Sequence, residues 1–226
     1  MTVLALAAAV VLIEIGSGRV IRQEGDVTRR VAPGSTIKPF VLQATALRPE
    51  RPCGRKLRLA GRRMDCIHPI LAAPLSAREA LAYSCNFYFA NLAQSIDPVH
   101  LAGVLRSFGF DVSRTPGSME ERQLAALGEF GLTTTPMDLA RAYAKLAVIG
   151  VPGLQEAVEV GTAQRAAVDG LAISGKTGTT RGYSWFAGFA PSEKPRVAIV
   201  VLSGEGTGAS SAAPEAARVL REWHVH

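Results

Sequence analysis

A serine and a lysine stand three positions apart in segment 32–40, which reads Ala-Pro-Gly-Ser-Thr-Ile-Lys-Pro-Phe. Residues three apart lie on one face of a helix, so Ser35 and Lys38 would be neighbours there. A serine hydroxyl is a poor nucleophile until a base removes its proton, and a lysine is such a base only when burial or a second cation lowers its pKa. A helix start also favours negative charge that develops at Ser35. The segment predicts nucleophilic catalysis, although this spacing alone is a weak signal.

A hydroxyl and an amide stand two positions apart in Ser84-Cys85-Asn86. They follow Ser76-Ala77-Arg78-Glu79, a capping box that predicts a helix start. The pair suits a proton relay at Ser84 and a group at Asn86 that orients a substrate. The competing interpretation is a helix C-terminus closed by an asparagine. Cys85, which lies between them, is expected to be a buried and inert thiol.

A third segment, 174–180, reads Ser-Gly-Lys-Thr-Gly-Thr-Thr inside a predicted strand. Glycine within a strand often marks close approach by a ligand or another backbone. Lys176 adds a cation, and Thr177 and Thr179 add hydroxyl donors, so the segment suits an anion such as a carboxylate. The competing interpretation is a phosphate-binding Walker loop, which needs a helix directly after the lysine, and none is expected here.

Lysine is scarce in this chain, which makes the lysines in these segments informative. Lysine and arginine total 25 against 19 acidic residues, a formal net charge of +6, yet only five of the 25 are lysines. Arginine cannot give up its proton to act as a base, so it could not replace Lys38. Lys56, Lys145 and Lys194 are expected to be ordinary surface residues.

Seven basic residues cluster between positions 48 and 63, with Glu50 and Asp65 nearby. No aromatic side chain is interleaved for base stacking, and no nucleic-acid motif accompanies the cluster. We therefore expect a solvated basic loop and no nucleic-acid partner, with an anionic polymer or a membrane surface as the alternative.

Two cysteines flank this basic loop, and their spacing leaves two interpretations open. A Cys53–Cys66 disulfide would close a short loop, stabilise the fold by about 3 kcal/mol and imply an oxidising compartment. The alternative is two unrelated thiols. No Cys-x-x-Cys pair is present, so the sequence predicts no metal site.

The two ends of the chain are typical of a sheet. A chain of 226 residues that is 48% hydrophobic and 19% charged can bury a core and is not disordered. A hairpin is predicted over residues 8–24, and three strands over 171–180, 183–190 and 196–203. A lone hairpin is marginal in water, so we expect one antiparallel sheet of about five strands, with a helix over 214–223 on one face.

The middle of the chain has sequence signals typical of helices. Thr135-Pro136, for example, predicts the start of a helix that ends at Gly150. We expect an α+β fold and a single domain over 1–226. Residues 8–24 and 168–226 would form the sheet, and 33–165 a mostly helical insertion.

The N-terminal residues are apolar from Val3 to Ile13, a run too short to span a bilayer. No lysine or arginine precedes it, so a signal peptide is not predicted. We expect a strand here, preceded by the stub of a helix, and no export signal within this sequence.

In their order and spacing, the three segments resemble the active-site motifs of the penicillin-binding transpeptidases, the acyl-serine family that shares its fold with the serine β-lactamases. Two further stretches add to the resemblance. Residues 128–150 are similar to the structural helix of that family, and Trp185–Pro191 to the strand after its Lys-Thr-Gly motif. The resemblance extends over residues 10–223.

This resemblance implies the catalytic roles. Ser35 is the nucleophile, and Lys38 is its general base, kept neutral partly by the second cation, Lys176. Ser84 relays the proton to the leaving amine. The backbone N–H groups of Ser35 and Thr179 form the oxyanion hole.

The resemblance also implies the binding roles. Asn86 orients the substrate amide. Thr177 and Thr179, with Gly178 between them and Lys176 before them, hold the terminal carboxylate of the substrate.

The implied reaction is cross-linking of peptidoglycan stem peptides, with β-lactams acylating Ser35 and with no cofactor or metal. The implied location is extracytoplasmic, in the periplasm or at the outer face of the cytoplasmic membrane. Family members usually have a helix before the first strand, and a membrane anchor or another domain. None of these is recognisable here, so membrane attachment would need a segment that this sequence does not contain.

Three alternatives share the motifs. A D,D-carboxypeptidase would hydrolyse the acyl-enzyme, and so would a β-lactamase. One β-lactamase class uses a Glu-x-x-Leu-Asn stretch, which Glu129–Thr133 approaches without the asparagine. The alternative of another class is a non-catalytic β-lactam sensor or a cell-wall scaffold.

Overall fold

The computed structural model describes residues 9–71 and 73–225. The helix stub expected before the first strand lies outside the described residues. Within the described ranges, every helix is too short or too polar to cross a membrane.

The central sheet has five antiparallel strands: β1 Ala9–Glu14, β2 Val20–Glu24, β7 Ser174–Thr180, β8 Tyr183–Ala190 and β9 Val197–Ser203. They lie side by side in the order β2-β1-β9-β8-β7. Strand β1 pairs with both β2 and β9, so the N-terminal hairpin and the last three strands share one sheet. The predicted α+β class with a five-stranded antiparallel sheet is confirmed.

The segment between β2 and β7 carries helices joined by long irregular stretches. Its helices are α1 Lys38–Gln43, α2 Ala77–Ala82, α3 Asn86–Leu92, α4 Pro98–Ser107, α5 Met119–Ala126, α6 Pro136–Ile149 and α7 Leu154–Glu159. A small hairpin of β3 Arg58–Leu59 with β4 Arg62–Arg63 lies among them. A second short antiparallel pair joins β5 Asp111–Val112 to β6 Leu132–Thr133, with α5 in the connection between them. Helix α8, Ala213–Val225, follows the sheet.

The inner strands β1 and β9 are buried on both faces, whereas the edge strand β2 is largely exposed. On β1, Val11 and Ile13 pack into a core shared with the helical insertion, whereas Val10 and Leu12 pack into a second core that contains α8. Every residue of β9 is buried as well. Burial on both faces explains why these strands are continuous apolar runs rather than alternating ones.

The first core fixes the segment that carries Ser35 and Lys38. Phe40 of α1 is fully buried, and its ring packs edge-on against Phe108, Phe110 and Tyr143 at centroid distances of 4.9, 4.8 and 5.5 Å. The Tyr143 hydroxyl also donates to the carbonyl of Thr36 at 3.0 Å. Helix α6 therefore holds the turn that begins α1.

Candidate active site

The structure brings the three sequence motifs together at the β7 edge of the sheet. Ser35 lies in a 3-10 turn, Gly34–Ile37, that leads directly into α1. This turn packs against β7, where a Cβ atom on Gly178 would lie 2.9 Å from the Pro33 carbonyl oxygen. Only glycine permits this approach, so the close-contact role predicted for a glycine in the strand is explained by the neighbouring backbone.

Lys38 connects the first motif to the second. Its side chain is fully buried, and Nζ lies 2.8 Å from the carbonyl oxygen of Ser84, 3.1 Å from Ser84 Oγ and 2.7 Å from Asn86 Oδ1. A neutral amine has two protons and one lone pair. It can donate to the carbonyl and the amide oxygen and accept from the Ser84 hydroxyl. In the described part of the chain, the half-buried Ser35 hydroxyl makes no hydrogen bond to Lys38.

Burial tunes both active-site lysines. It lowers the pKa of Lys38 to about 7, against a smaller opposing effect of the nearby Cys85 and Cys66 thiols. The pKa of Lys176 is held well below its usual value, first by burial and then by the charge of Lys38. Burial is the main cause for both lysines. The repulsion between the two cations is mutual and disfavours charging both at once, so the role expected of Lys176 in keeping Lys38 neutral stays a prediction.

The second motif is a sharp turn between two helices. Helix α2 ends at Ala82, Ser84 has a φ of +56°, and Asn86 begins α3. A left-handed backbone is unusual for serine, and such conformations concentrate at functional sites. The competing interpretation, a helix closed by an asparagine, is wrong because Asn86 opens a helix.

The Asn86 side chain is fixed at both ends. Its Nδ2 donates to the Met64 carbonyl at 3.0 Å, and its Oδ1 faces Lys38. One Nδ2 proton remains for a substrate carbonyl.

The third motif forms the edge strand β7. Lys176 is fully buried, and its Nζ donates to the Thr177 carbonyl at 3.1 Å and to Thr162 Oγ1 at 3.4 Å. The Thr177 hydroxyl also donates to Thr162 Oγ1, at 2.9 Å. Thr179 is exposed, and its Oγ1 accepts the backbone N–H of Gly208 at 3.1 Å, which leaves its own proton to donate.

The Walker interpretation of this segment is excluded by its structure. Gly170 and Gly175-Lys176-Thr177 do have the spacing of a phosphate loop. However, residues 174–180 continue as a strand that pairs with β8 along its whole length, so no helix N-terminus follows the lysine.

Two residues that complete the site carry no sequence signal of their own. Thr162 accepts hydrogen bonds from both Lys176 and Thr177, and its backbone N–H bonds to the Ala82 carbonyl at 3.2 Å. Gly128 accepts the Gly34 N–H at 3.2 Å, and a Cβ there would lie 2.2 Å from the Gly34 carbonyl oxygen. A loop threonine and a loop glycine have no spacing that would reveal these contacts.

The Cys53–Cys66 disulfide is not formed, since all three cysteines are free thiols. The reason is visible in the packing, where Cys85 Sγ lies 3.4 Å from Cys53 Sγ and 3.6 Å from Cys66 Sγ. The two loop cysteines thus belong to a group of three rather than to a pair. Nor are they unrelated thiols.

A family model described as the penicillin binding protein transpeptidase domain matches residues 8–152 and 151–222. These ranges take in nearly the whole chain. The chain belongs to the penicillin-binding protein transpeptidase family, as its fold and the convergence of its three motifs indicate.

A curated relative and several solved structures are similar to the chain. Peptidoglycan D,D-transpeptidase PbpA of Mycolicibacterium smegmatis is 35% identical over 36% of this chain and 20% of that protein. The match thus takes in only a fifth of the relative's length.

Among solved structures, PBP2 of Pseudomonas aeruginosa in complex with WCK 5153 has a TM-score of 0.81, with 19% identity, 98% of this chain covered and 74% of that one. The D,D-transpeptidase domain of a peptidoglycan glycosyltransferase from Eggerthella lenta has a TM-score of 0.79 at 18% identity, with 97% of this chain and 78% of that chain covered. The transpeptidase domain of FtsI4 from Legionella pneumophila has a TM-score of 0.72 at 23% identity, with 97% of this chain and 90% of that chain covered. These likenesses show a shared fold.

Proposed function

We propose that this chain is a serine-type D,D-transpeptidase that cross-links peptidoglycan stem peptides through an acyl-Ser35 intermediate outside the cytoplasmic membrane. The observation that carries the proposal is Lys38, a fully buried lysine with a pKa of about 7 whose amine is held between Ser84 and Asn86. The name of the Mycolicibacterium smegmatis relative supports the same reaction.

Acylation begins with proton transfer from Ser35 to Lys38. The Ser35 oxygen attacks the carbonyl carbon between the last two D-alanines and forms a tetrahedral intermediate. Backbone N–H groups of Ser35 and Thr179 would stabilise the oxyanion, where charge develops only in the transition state.

Collapse of the intermediate requires a proton at the leaving amine. Lys38 returns the proton through the Ser84 hydroxyl, which lies 3.1 Å from its Nζ. The terminal D-alanine departs as an amine, and Ser35 is left as an ester. An amine of a second stem peptide then attacks the ester, forms the new amide and returns a proton to Ser35 through the same groups.

The terminal carboxylate of the donor would bind at β7. Thr179 offers an exposed hydroxyl donor, and Thr177 offers a second when it releases Thr162. Lys176 is buried behind the strand, so its contribution would be a positive field rather than a direct contact. An arriving carboxylate would favour the charged form of this lysine.

The proposal is tested by intact-mass measurement after incubation with benzylpenicillin, followed by peptide mapping. We expect one penicilloyl adduct at Ser35 in the native chain and none in Ser35→Ala. An adduct on another residue would refute the site. Incubation with a synthetic pentapeptide and an acceptor amine should then give the cross-linked product. Release of the tetrapeptide acid alone would indicate a carboxypeptidase, and rapid multiple turnover of a chromogenic cephalosporin would indicate a β-lactamase.

A further inference from the structure

Beside the active site, a group of sulfur and nitrogen atoms converges that the proposed reaction does not use. It consists of three cysteines and one histidine: Cys53, Cys66, His68 and Cys85. One ligand atom from each of these residues lies within 4.8 Å of all the others. They come from both sides of the small β3–β4 hairpin and from the start of α3, so folding rather than sequence spacing assembles them.

The His68 side chain is oriented as a metal ligand. Its residue is only 6% exposed, and its Nδ1 lies 2.8 Å from the carbonyl oxygen of Pro69. Nδ1–H therefore donates, which leaves the lone pair on Nε2. Within the described ranges, Nε2 is buried and has no hydrogen-bond partner. A ligating histidine is usually oriented in this way, by a backbone carbonyl on its other nitrogen.

Each of the three sulfur atoms accepts a backbone N–H. The donors are Arg55 for Cys53 Sγ at 3.3 Å, Phe87 for Cys66 Sγ at 3.4 Å and Tyr88 for Cys85 Sγ at 3.4 Å. Hydrogen bonds of this kind favour the thiolate over the thiol, and the thiolate is the form that binds metal. Three such donors would stabilise three neighbouring thiolates. Three negative charges this close together repel one another unless a cation lies between them.

The spacing of the sulfurs fits a single small ion. Two sulfurs each about 2.3 Å from a tetrahedral zinc ion are about 3.8 Å apart. Cys85 Sγ lies 3.4 Å from Cys53 Sγ and 3.6 Å from Cys66 Sγ, and all the ligand atoms of the cluster lie within 4.8 Å of one another. A disulfide between any two cysteines would leave the third thiol and the buried Nε2 of His68 without partners, whereas one ion satisfies all four atoms.

We propose that one structural zinc ion binds at these four side chains: Cys53, Cys66, His68 and Cys85. Three thiolates and one imidazole are the ligands of a closed structural zinc site, and the softness of sulfur disfavours magnesium and calcium. Binding releases the thiol protons to solvent and involves no change of oxidation state.

The position of the site links the ion to the second motif. Cys85 is flanked by Ser84 and Asn86, and its Sγ caps the first turn of α3 by accepting from Tyr88. The loop that supplies Cys66 also supplies the Met64 carbonyl, which holds the Asn86 amide. The ion would therefore fix the Ser84–Asn86 turn on which Lys38 depends. This link rests on the proposed function, but the zinc site itself does not.

The first experiment measures metal content without reference to activity. The untagged chain is purified, reconstituted with zinc chloride under reducing conditions, desalted and analysed by plasma mass spectrometry. We expect about one zinc ion per chain. Cobalt(II) in its place should give the intense visible bands and the near-ultraviolet thiolate charge-transfer band of a tetrahedral sulfur site. Zinc far below one equivalent, cobalt without thiolate bands, or a disulfide in the freshly isolated chain would overturn the proposal.

Ligand variants locate the ion. We expect Cys53→Ser and His68→Ala each to weaken zinc affinity by at least about 100-fold, measured by competition with a chromophoric chelator. His100→Ala is the matched control, because His100 is exposed on α4 and outside the cluster. If Cys53→Ser fails to fold, His68→Ala still decides, because the one side-chain hydrogen bond it removes is that from Nδ1 to the Pro69 carbonyl within the same loop. Unchanged affinity in His68→Ala would refute the site.

The link to catalysis is tested on chains with and without zinc whose circular dichroism spectra agree. We expect penicillin acylation of Ser35 to slow by about tenfold or more after zinc removal. Equal rates would refute the link, and zinc binding at one equivalent with no acylation of Ser35 in either form would refute the proposed function while leaving the zinc site intact.

Discussion

The amine of Lys38 and the amide of Asn86 are joined by a hydrogen bond of 2.7 Å between Nζ and Oδ1. The base of the first motif is therefore held by the second motif rather than by the serine it would activate. Since Asn86 is itself held by the Met64 carbonyl, the position of Lys38 depends on the loop between α1 and α2. Catalysis at Ser35 should respond to changes in all three segments.

Replacing Lys38 by arginine should abolish the base while keeping a cation. Arginine does not deprotonate in proteins, and its wider head does not fit a fully buried site. We expect penicillin acylation of Lys38→Arg to fall by a factor of about 10² to 10⁴. Lys194→Arg is the control, because Lys194 is exposed. Acylation of Lys38→Arg within a few-fold of the native rate would exclude Lys38 as the base.

The rate of acylation should depend on pH with a midpoint near the Lys38 pKa of about 7. Burial lowers this pKa, the Cys85 and Cys66 thiols oppose the lowering, and Lys176 faces Lys38 as the second cation. Only the neutral amine accepts a proton from Ser35. We expect the second-order acylation rate constant to rise about tenfold per pH unit below the midpoint and to level off above it.

A stopped-flow or mass-spectrometric pH series measures this profile, with circular dichroism at each pH as the control for unfolding. A rate that is constant across the midpoint would contradict the assignment. The stability of the fold should change in the same direction. The pKa of Lys38 in the folded chain, about 7, lies below its ordinary value of 10.5. The contribution of Lys38 to the free energy of unfolding is therefore full above pH 10.5 and is lost as the pH falls to about 7.

Replacing Thr162 by valine should weaken the third motif. The change keeps the shape but removes the oxygen that accepts from Lys176 and Thr177. An unsatisfied buried donor costs about 1 to 3 kcal/mol. We expect slower acylation by carboxylate-bearing penicillins, measured as a fall in the second-order rate constant. Thr28→Val, which loses only an exposed bond to Asp26, should have no effect. Equal behaviour of the two variants would remove Thr162 from the site.

Replacing Gly178 by alanine should separate β7 from the turn that carries Ser35. The new Cβ would lie 2.9 Å from the Pro33 carbonyl oxygen and 3.3 Å from the Thr36 nitrogen. A displacement of about 1 Å in a catalytic group can cost about 100-fold in rate. We expect a loss of this order in acylation.

The matched control is Gly103→Ala on α4, where a Cβ would meet nothing within 4 Å. That variant should be slightly stabilised in thermal unfolding, because alanine favours a helix interior more than glycine does. Native acylation by Gly178→Ala would show that the strand tolerates the side chain.

Much of the architecture was predictable because it depends on local chemistry. The capping box at Ser76 does begin α2, Thr135 does cap α6, and the strand over 183–190 has the predicted bounds. The catalytic roles given to Ser35, Lys38 and Ser84 remain predictions.

What the sequence could not predict depends on contacts between distant segments. Thr162 is an ordinary loop threonine until the fold places it against Lys176. The spacing of Cys53, Cys66 and Cys85 fits no zinc pattern, because the hairpin between the first two sets their approach. The lowered pKa values of Lys38 and Lys176 likewise follow mainly from burial, which a linear sequence does not display.

The pairing of β1 with β9 has a consequence for how the chain is made. Ala9 pairs with Leu202, so strand β1 cannot form its pairing with β9 until almost the entire chain has been synthesised. Contacts of such long range slow folding, and an unpaired apolar strand is prone to aggregate in the meantime. Truncation a few residues before the end of β9 should therefore yield an insoluble chain rather than a smaller working domain.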